Sequence, residues 1–163
     1  MSRDIKFKIW DKEQKKFLEI NWEGEDTRHT KGKANICYSD RVYVTLSGYV
    51  NEDGWPYEVD ADILQYTGLK DKNGKEIYEG DILERKFKGL GYELGDRTLV
   101  SWGECRYVHI WKMEFERELK NNKDLGRWFL SRKIAELDLD AHIEDFEVIG
   151  NIYENPELLR GEK

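Results

Sequence analysis

Short runs of apolar residues recur along the chain, and turn-forming residues separate them. At the amino terminus Ile5, Phe7 and Ile9 alternate with other residues, and this period of two is typical of a strand with one buried face. A second run at 17–22 follows a polar turn, so residues 4–22 are predicted to form a hairpin. A further strand-like run at 42–50 is rich in β-branched and aromatic residues, and shorter ones lie at 82–87, 98–102, 107–115, 127–134 and 146–152. Many short strands with turns between them predict a mainly-β protein, built as a small barrel or sandwich.

The clearest turn is Asn73-Gly74, which lies between the apolar residues Leu69 and Ile77. Asn and Gly readily adopt positive φ, as both central residues of a two-residue type I′ turn require. A calcium-binding loop needs a different spacing, because here Gly74 follows Asn73 directly. This segment is therefore predicted to be a hairpin turn with positive φ at Gly74.

Helices are expected to be few and short. Residues 60–66 fit either one capped helical turn or the lead into a strand. Residues 131–144 carry apolar side chains at helical spacing, which predicts a short helix before the last strand. Residues 156–159 resemble one closing helical turn, with Asn155 as its cap and a proline in the first position.

The charge pattern argues against general nucleic-acid binding. The 163-residue chain has a net charge of -7, and 37% of its residues are charged. Residues 34–66 contain one Arg against six Asp and Glu, a local charge of -5. No long basic block is present to neutralise phosphates, which is the main source of non-specific affinity for nucleic acids. The alternative of a local basic patch, formed in three dimensions by residues that are distant in sequence, stays open.

Several features indicate a soluble protein of the cytoplasm. The amino terminus enters the first strand pattern without an apolar leader segment, and no apolar run approaches the roughly 18–20 residues of a membrane span. Cys37 and Cys105 are far apart and form no Cys-x-x-Cys pair. Both are expected to be reduced and buried, and no contact with a membrane is expected.

The chain shows no arrangement that predicts catalysis or a cofactor. Its three histidines, His29, His109 and His142, have no partner at ligand spacing, whereas a zinc or iron site needs at least three converging donors. Acidic runs at 52–62 and 138–145 fit a solvated surface better than an acid–base pair or a divalent-cation site. No serine lies in a nucleophile-elbow context, and no phosphate-binding glycine motif is present. We expect no metal, no cofactor and no enzymatic activity.

One predicted strand has two apolar faces. In the run 106–115, Val108 and Ile110 alternate with the residues of the second face, which are Tyr107, His109, Trp111, Met113 and Phe115. A barrel strand normally buries one face and exposes the other. The second face must then be covered, either by the N-terminal β-region or by another molecule. It is the candidate partner surface.

Two strings of the sequence resemble the YopX family of phage and prophage proteins. They are LQYTGLKDKNGKEIYEGDI at 64–82 and FEVIGNIYENPELL at 146–159, and the opening IKFKIWD at 5–11 is similar to the start of that family. The resemblance implies a phage or prophage origin, and with it a location in the cytoplasm of the bacterial host. It also implies a mainly-β fold with an SH3-like barrel in the C-terminal part, on which an N-terminal β-hairpin region packs. It implies no activity and no site residues.

We therefore expect an N-terminal β-region over 1–66 and a YopX-like barrel region over 67–163, or one continuous domain. Two classes of function fit this interpretation. One is an accessory protein that binds a protein partner, either itself or a host factor, through β-surfaces and aromatic side chains. The other is an SH3-like module associated with nucleic acid or ribonucleoprotein, which rests on analogy of fold alone. Salt-dependent binding to RNA or DNA distinguishes the two.

Overall fold

The computed structural model describes residues 4–20, 32–89, 92–103, 106–111, 137–138 and 143–159, and their side chains at 4–20, 32–86, 97–101 and 143–159. The fold is mainly β, and the helical elements of the described residues are two short 3-10 turns. The chain divides into two compact units, one of Ile5–Gln65 and one of Tyr66–Lys163 with Met1–Asp4. Each unit is built around its own strands.

The N-terminal unit is a sheet of six neighbouring strands. They are β1 (Phe7–Asp11), β2 (Lys16–Ile20), β3 (Lys33–Tyr38), β4 (Val42–Val50), β5 (Pro56–Val59) and the first half of β6 (Ala61–Lys70). Their order is β5-β4-β3-β2-β1-β6, so β5 is an edge strand. The β2–β3 pair is parallel, and the other pairs are antiparallel.

Alternation along these strands forms the core of the N-terminal unit. Ile9, Ala34, Val44 and Val59 are buried together on one face of the sheet, each from a different strand. Leu18, Ile20, Ile36, Leu46, Ala61 and Ile63 pack against them. Because neighbours along a strand point to opposite faces, the period of two in the sequence places these side chains on the core side.

The C-terminal unit continues β6 and adds an antiparallel sheet. Its further strands are β7 (Glu76–Tyr78), β8 (Asp81–Gly89), β9 (Tyr92–Gly103), β10 (Arg106–Trp111), β11 (Leu137–Asp138) and β12 (Phe146–Asn151). The order is β11-β10-β9-β8-β12, and β7 pairs with β6. The 3-10 turn Ile143–Asp145 leads directly into β12, and a second 3-10 turn, Pro156–Leu159, follows it.

The sheet of the C-terminal unit has an apolar cluster on each face. One cluster contains Ile82, Leu99, Ile152 and Leu159, and the other contains Ile77, Leu83, Val100 and Phe146. Ile82 pairs with Leu99, whereas the next residue along β8 belongs to the second cluster. Both faces of β8 and β9 are therefore buried at this point, which explains why each strand carries two adjacent apolar residues here, Ile82-Leu83 and Leu99-Val100.

Most predicted strands are confirmed, including 42–50 and the run at 146–152, of which Phe146–Asn151 is β12 and pairs with β8. Of residues 60–66, which the sequence left undecided, 61–66 belong to β6. Within the predicted helix at 131–144, Leu137–Asp138 is a strand, because it pairs with β10. The rest of that helix, apart from the start of the 3-10 turn, lies outside the described residues, as does the predicted strand 127–134.

The predicted turn at Asn73-Gly74 is confirmed, but its type is different. Gly74 has a φ of 81°, whereas Asn73 keeps a negative φ, so the turn is not type I′. The Gly74 N–H donates to the Asp71 carbonyl, and Asp71 N–H donates to the Lys75 carbonyl, both at 2.9 Å. The loop is thus a type I turn followed by a left-handed glycine, the usual three-residue hairpin.

Candidate functional site

The predicted partner surface lies largely outside the described side chains. Tyr107, His109 and Trp111 belong to β10, where only the backbone is described, and Met113 and Phe115 lie outside the described residues. The strand register places His109 opposite Val100 and Trp111 opposite Thr98. Both partners on β9 are buried. The role of this surface stays a prediction.

Asp71, from the first of the two strings, serves the fold. Its Oδ1 accepts the N–H groups of Asn73 and Lys75, and its Oδ2 accepts the N–H of Val148 on β12 at 2.9 Å. Burial alone would raise the pKa of Asp71, but these backbone donors outweigh it and lower the pKa below its ordinary value. One carboxylate therefore shapes the turn and fastens it to the last strand.

Asp81 plays a similar part at the other end of the same string. Its Oδ2 accepts the Tyr78 N–H, and its Oδ1 accepts the side-chain amide of Asn151 on β12, at 2.8 and 2.9 Å. Gly150 lies so close to Asn155 and Leu158 that a Cβ atom would come within 2.7 Å of each. The polar and glycine residues of the two strings join the strands of this unit to one another.

The tyrosine pair of the C-terminal unit is also structural. The Tyr78 hydroxyl donates to Glu76 at 2.9 Å, and its ring lies 5.4 Å from that of Tyr66. Burial, and then the neighbouring Glu76 carboxylate, raise the pKa of Tyr78 far above its ordinary value. A phenol held neutral in this way is poorly suited to transferring a proton near neutral pH.

The described part of the chain contains neither a cluster of metal ligands nor a membrane-spanning helix. No three His, Cys, Asp or Glu side chains there are placed to hold a metal ion. No helix among these residues is long and apolar enough to cross a membrane. The histidine side chains themselves lie outside the described part, and so does Cys105; Cys37 is half-buried, with its Sγ 3.6 Å from Thr45 Oγ1.

The hairpin formed by β4 and β5 exposes large apolar side chains. Within residues 49–57, Trp55 is 70% exposed, Val50 64%, Tyr49 45% and Tyr57 42%. We call this segment the aromatic hairpin. Single exposed apolar residues are common on protein surfaces, but several together mark interaction sites. Elsewhere in the unit a second pair of apolar residues is exposed. Tyr38 on β3 and Val42 on β4 are directly opposite each other in the strand register.

The tip of the aromatic hairpin is held by Asn51. Its Oδ1 accepts the N–H groups of Asp53 and Trp55, at 3.1 and 2.8 Å. Asn51 N–H donates to the Trp55 carbonyl, and Gly54 closes the turn with a φ of 82°. These bonds fix the backbone at Trp55 on both sides of its Cα, so the exposed indole projects from an ordered turn.

A cavity of about 280 Å³ opens beside the aromatic hairpin. It arises because residues 46–49 of β4 oppose only Tyr57 of β5, a wide interruption of the ladder. Asn35, Thr45, Leu46, Ser47, Gly48, Tyr49, Val50 and Pro56 line it. The side chain of Asn35 donates to the Ser47 hydroxyl at 2.9 Å. Its volume is just below the roughly 300–1,000 Å³ of small-molecule sites, so it suits one side chain rather than a cofactor.

Acidic residues lie at the tip of the aromatic hairpin and just after it in the sequence. Glu58 pairs with Arg41 at 2.6 Å, and Lys12 bridges Asp60 and Asp62. Glu52 and Asp53, at the tip, are exposed and make no ion pair with any other described residue. The hairpin therefore presents two carboxylates, within three residues of Trp55, that no cation of the described residues neutralises.

The sequence contained a partial signal for this surface. Trp55 and Tyr57 lie within the acidic run at 52–62, but acidic residues alone do not indicate that these aromatic side chains are exposed together. Exposure of Tyr49 and Val50 could not be predicted, because the interrupted ladder at 46–49 breaks the alternation of β4. Strand β5 was missed because it begins with a proline, which is typical of edge strands.

Comparisons with known proteins identify the scaffold. The model of the YopX family, described as YopX protein, matches residues 6–160, nearly the whole chain. A crystal structure of protein EF1440 from Enterococcus faecalis is similar to this chain, with 27% sequence identity and a TM-score of 0.52. The similarity covers 98% of this chain and 100% of that one. A comparison with curated proteins finds no match.

Proposed function

The chain belongs to the YopX protein family, and on that premise we propose that it is a non-enzymatic accessory module that binds another protein through its aromatic hairpin. The proposal includes a phage or prophage origin and action in the cytoplasm of the bacterial host. The exposed apolar residues of 49–57 carry it. The family strings supply no competing site, since Asp71, Asp81 and Asn151 already use their polar atoms within the fold.

The energetic argument rests on exposed apolar area. Fully burying a large apolar side chain contributes on the order of 1.5–3 kcal/mol. Trp and Tyr are also the residues on which binding energy in protein interfaces most often concentrates. The aromatic hairpin exposes one Trp and two Tyr in nine residues, on a turn whose backbone is already ordered. A partner that covers them gains apolar burial without having to order this loop.

The arrangement of the C-terminal unit supports an SH3-like barrel as the scaffold. Strands β8 to β11 follow one another as neighbours, and β12 returns to the free side of β8 after a 3-10 turn. This order of five strands, with a 3-10 turn just before the last, is that of SH3-like barrels. Because such folds serve many unrelated functions, an SH3-like barrel does not by itself indicate which molecule the protein binds.

Site-specific photocrosslinking in bacterial cells tests the proposal. A photoreactive phenylalanine analogue replaces Tyr57 in one variant and Tyr38 in a matched control, because both positions are exposed tyrosines of the same unit. We expect protein adducts from position 57 that disappear when Trp55→Ala is added, and none that depend on Trp55 from position 38. Equal labelling from both positions, or no protein adducts, would exclude the aromatic hairpin as the binding surface. Adducts with RNA or DNA would instead favour a nucleic-acid-associated module.

A further inference from the structure

We propose that the partner segment that docks on the aromatic hairpin is a basic peptide, in which arginine side chains contact Trp55 and the carboxylates of Glu52 and Asp53. This inference rests on the proposed function and adds the chemistry of the partner. It follows from the charges around the hairpin, the free indole and the lining of the adjacent cavity.

The unpaired carboxylates are the first observation. Other acidic groups near the hairpin already have partners, namely Glu58 with Arg41, and Asp60 and Asp62 with Lys12. Within the described residues, Glu52 and Asp53 have no cation, although they lie on an ordered turn. The surrounding segment 34–66 has a charge of -5. A complementary ligand is therefore positively charged.

The exposed indole selects a guanidinium among positive groups. Trp gives the strongest cation–π attraction of the aromatic residues, and Arg is its commonest partner. Trp55 lies two residues from Asp53, and Asn51 holds both backbone N–H groups. The same turn thus carries an exposed indole and two exposed carboxylates, the two kinds of group that bind a guanidinium. The apolar stem of arginine covers the exposed ring, which an inorganic cation cannot do.

The cavity provides a second contact of the same character. Its lining contains the carboxamide of Asn35 and the hydroxyl groups of Thr45 and Ser47, and no basic residue. The Asn35 amide already donates to Ser47, which leaves its carbonyl oxygen as an acceptor. A long basic side chain fits such a lining, with its stem against Tyr49 and Val50 and its charged end near these oxygens.

The same charges disfavour the two other occupants. A second copy of this chain would bring two acidic hairpins together, because its own hairpin has the same unpaired carboxylates. A nucleic acid would place phosphates against Glu52 and Asp53, with no basic residue of the hairpin to neutralise them. A basic protein segment avoids both conflicts.

Fluorescence anisotropy with labelled synthetic peptides tests the proposal on the full chain. The probes are a peptide that alternates arginine with valine, a matched peptide with glutamate in place of arginine, and a single-stranded oligouridine. We expect the arginine peptide alone to bind, and Trp55→Ala to weaken its binding by about tenfold or more. Tyr38→Ala, which removes an equally exposed aromatic outside the hairpin, is expected to leave binding unchanged.

A charge-matched pair of variants separates local recognition from general attraction. The double variant Glu52→Lys/Asp53→Lys removes the proposed carboxylates, and Glu144→Lys/Asp145→Lys changes the net charge equally at exposed positions of the other unit. We expect only the first to abolish binding. Equal weakening by both, or binding that is insensitive to Trp55→Ala, would overturn the proposal, as would Trp55-dependent binding of oligouridine.

The outcome also distinguishes the two proposals. If the arginine peptide fails to bind while photocrosslinks from position 57 still depend on Trp55, the hairpin binds proteins and only the basic chemistry is wrong. If both experiments fail, the hairpin is not a docking site. Circular dichroism of each variant confirms that the fold is retained, which we expect because the substituted side chains are exposed.

Discussion

Three hairpin loops begin with a side chain that replaces missing backbone contacts. Asp11, Asn51 and Asp71 each accept two N–H groups from residues two to four positions later. Each loop then contains a left-handed residue, Lys15, Gly54 or Gly74. Asn and Asp favour such positions because a short side chain with an oxygen acceptor reaches these amides. The Asp71 side chain also accepts the N–H of Val148 on β12, so it joins its turn to another strand.

Removal of the Asp71 carboxylate is expected to destabilise the protein by about 1–3 kcal/mol, because three backbone N–H groups lose their acceptor. Asp71→Ala removes all three contacts. Asp71→Asn keeps one oxygen and presents an NH₂ group to the remaining donors, so a smaller loss is expected. Urea denaturation measures both. Equal stability of wild type and Asp71→Ala would contradict the structural role of this residue.

Gly74 requires a positive φ and has open space around the position of a Cβ atom. Gly74→Val is therefore expected to cost roughly 1 kcal/mol or more through backbone strain alone. Gly74→Asn is the control, because asparagine tolerates the left-handed conformation and should cost less. The two melting temperatures test this, and a valine variant as stable as the asparagine variant would argue against strain at this turn.

An ion pair joins strands β8 and β9, and a hydrogen bond from the same arginine joins them to the closing 3-10 turn. Arg97 on β9 contacts Glu84 on β8 at 2.8 Å and donates to the Leu158 carbonyl at 3.0 Å. Burial would raise the pKa of Glu84, but the hydrogen bonds from Arg97 and Lys86 outweigh it and lower the pKa. The side chain of Glu84 is only 10% exposed, so the contact is shielded from solvent on one side.

The lowered pKa of Glu84 predicts a stability loss in acid. A carboxylate with a lower pKa in the folded state adds stability above its unfolded pKa, near 4.5, and this is lost as the pH falls through the folded value. Glu84→Gln is expected to be less stable than wild type at neutral pH and to lose less stability on acidification. Denaturation midpoints from pH 7 to pH 3 measure this difference. Parallel pH profiles for the two proteins would show that Glu84 does not contribute.

The strands could be predicted from the sequence where apolar residues alternate, as in β1, or where β-branched and aromatic residues are concentrated, as in β4. They could not where pairing overrides local preference. Residues 61–65 are extended because β1 pairs with them in β6, and Leu137 is extended because it pairs with β10. The exposure of the aromatic hairpin could not be predicted for a related reason. It depends on which strand lies at the edge of the sheet, and short sequence patterns do not determine the order of the strands.

For strand β10 we predict that the side chain of Trp111 is largely buried. In the strand order β10 lies between β9 and β11, and Trp111 is opposite the fully buried Thr98 of β9. Acrylamide quenching of matched Trp→Phe variants measures exposure. We expect Trp55→Phe to remove strongly quenched fluorescence and Trp111→Phe to remove weakly quenched fluorescence. Strong quenching of Trp111 would instead make the 107–115 face an open partner surface.

The net charge of the protein affects its association with other molecules. The net charge of -7 and the acidic segment around the aromatic hairpin repel a second copy, while the exposed apolar side chains attract it. Salt weakens the repulsion without weakening apolar contact, since the Debye length falls from about 30 Å at 0.01 M to about 8 Å at 0.15 M. Association with a basic partner responds in the opposite direction, because there the charges attract.

Ionic strength therefore separates self-association from recognition of a basic segment. We expect a monomer in sedimentation velocity at low salt, and any dimer to appear only as salt increases. Binding of the arginine peptide should weaken over the same range. Trp55→Ala should reduce both, because both cover the same indole. A dimer that is stable at low salt and dissociates on addition of salt would require opposite charges across its interface, so it could not form through two copies of the acidic hairpin.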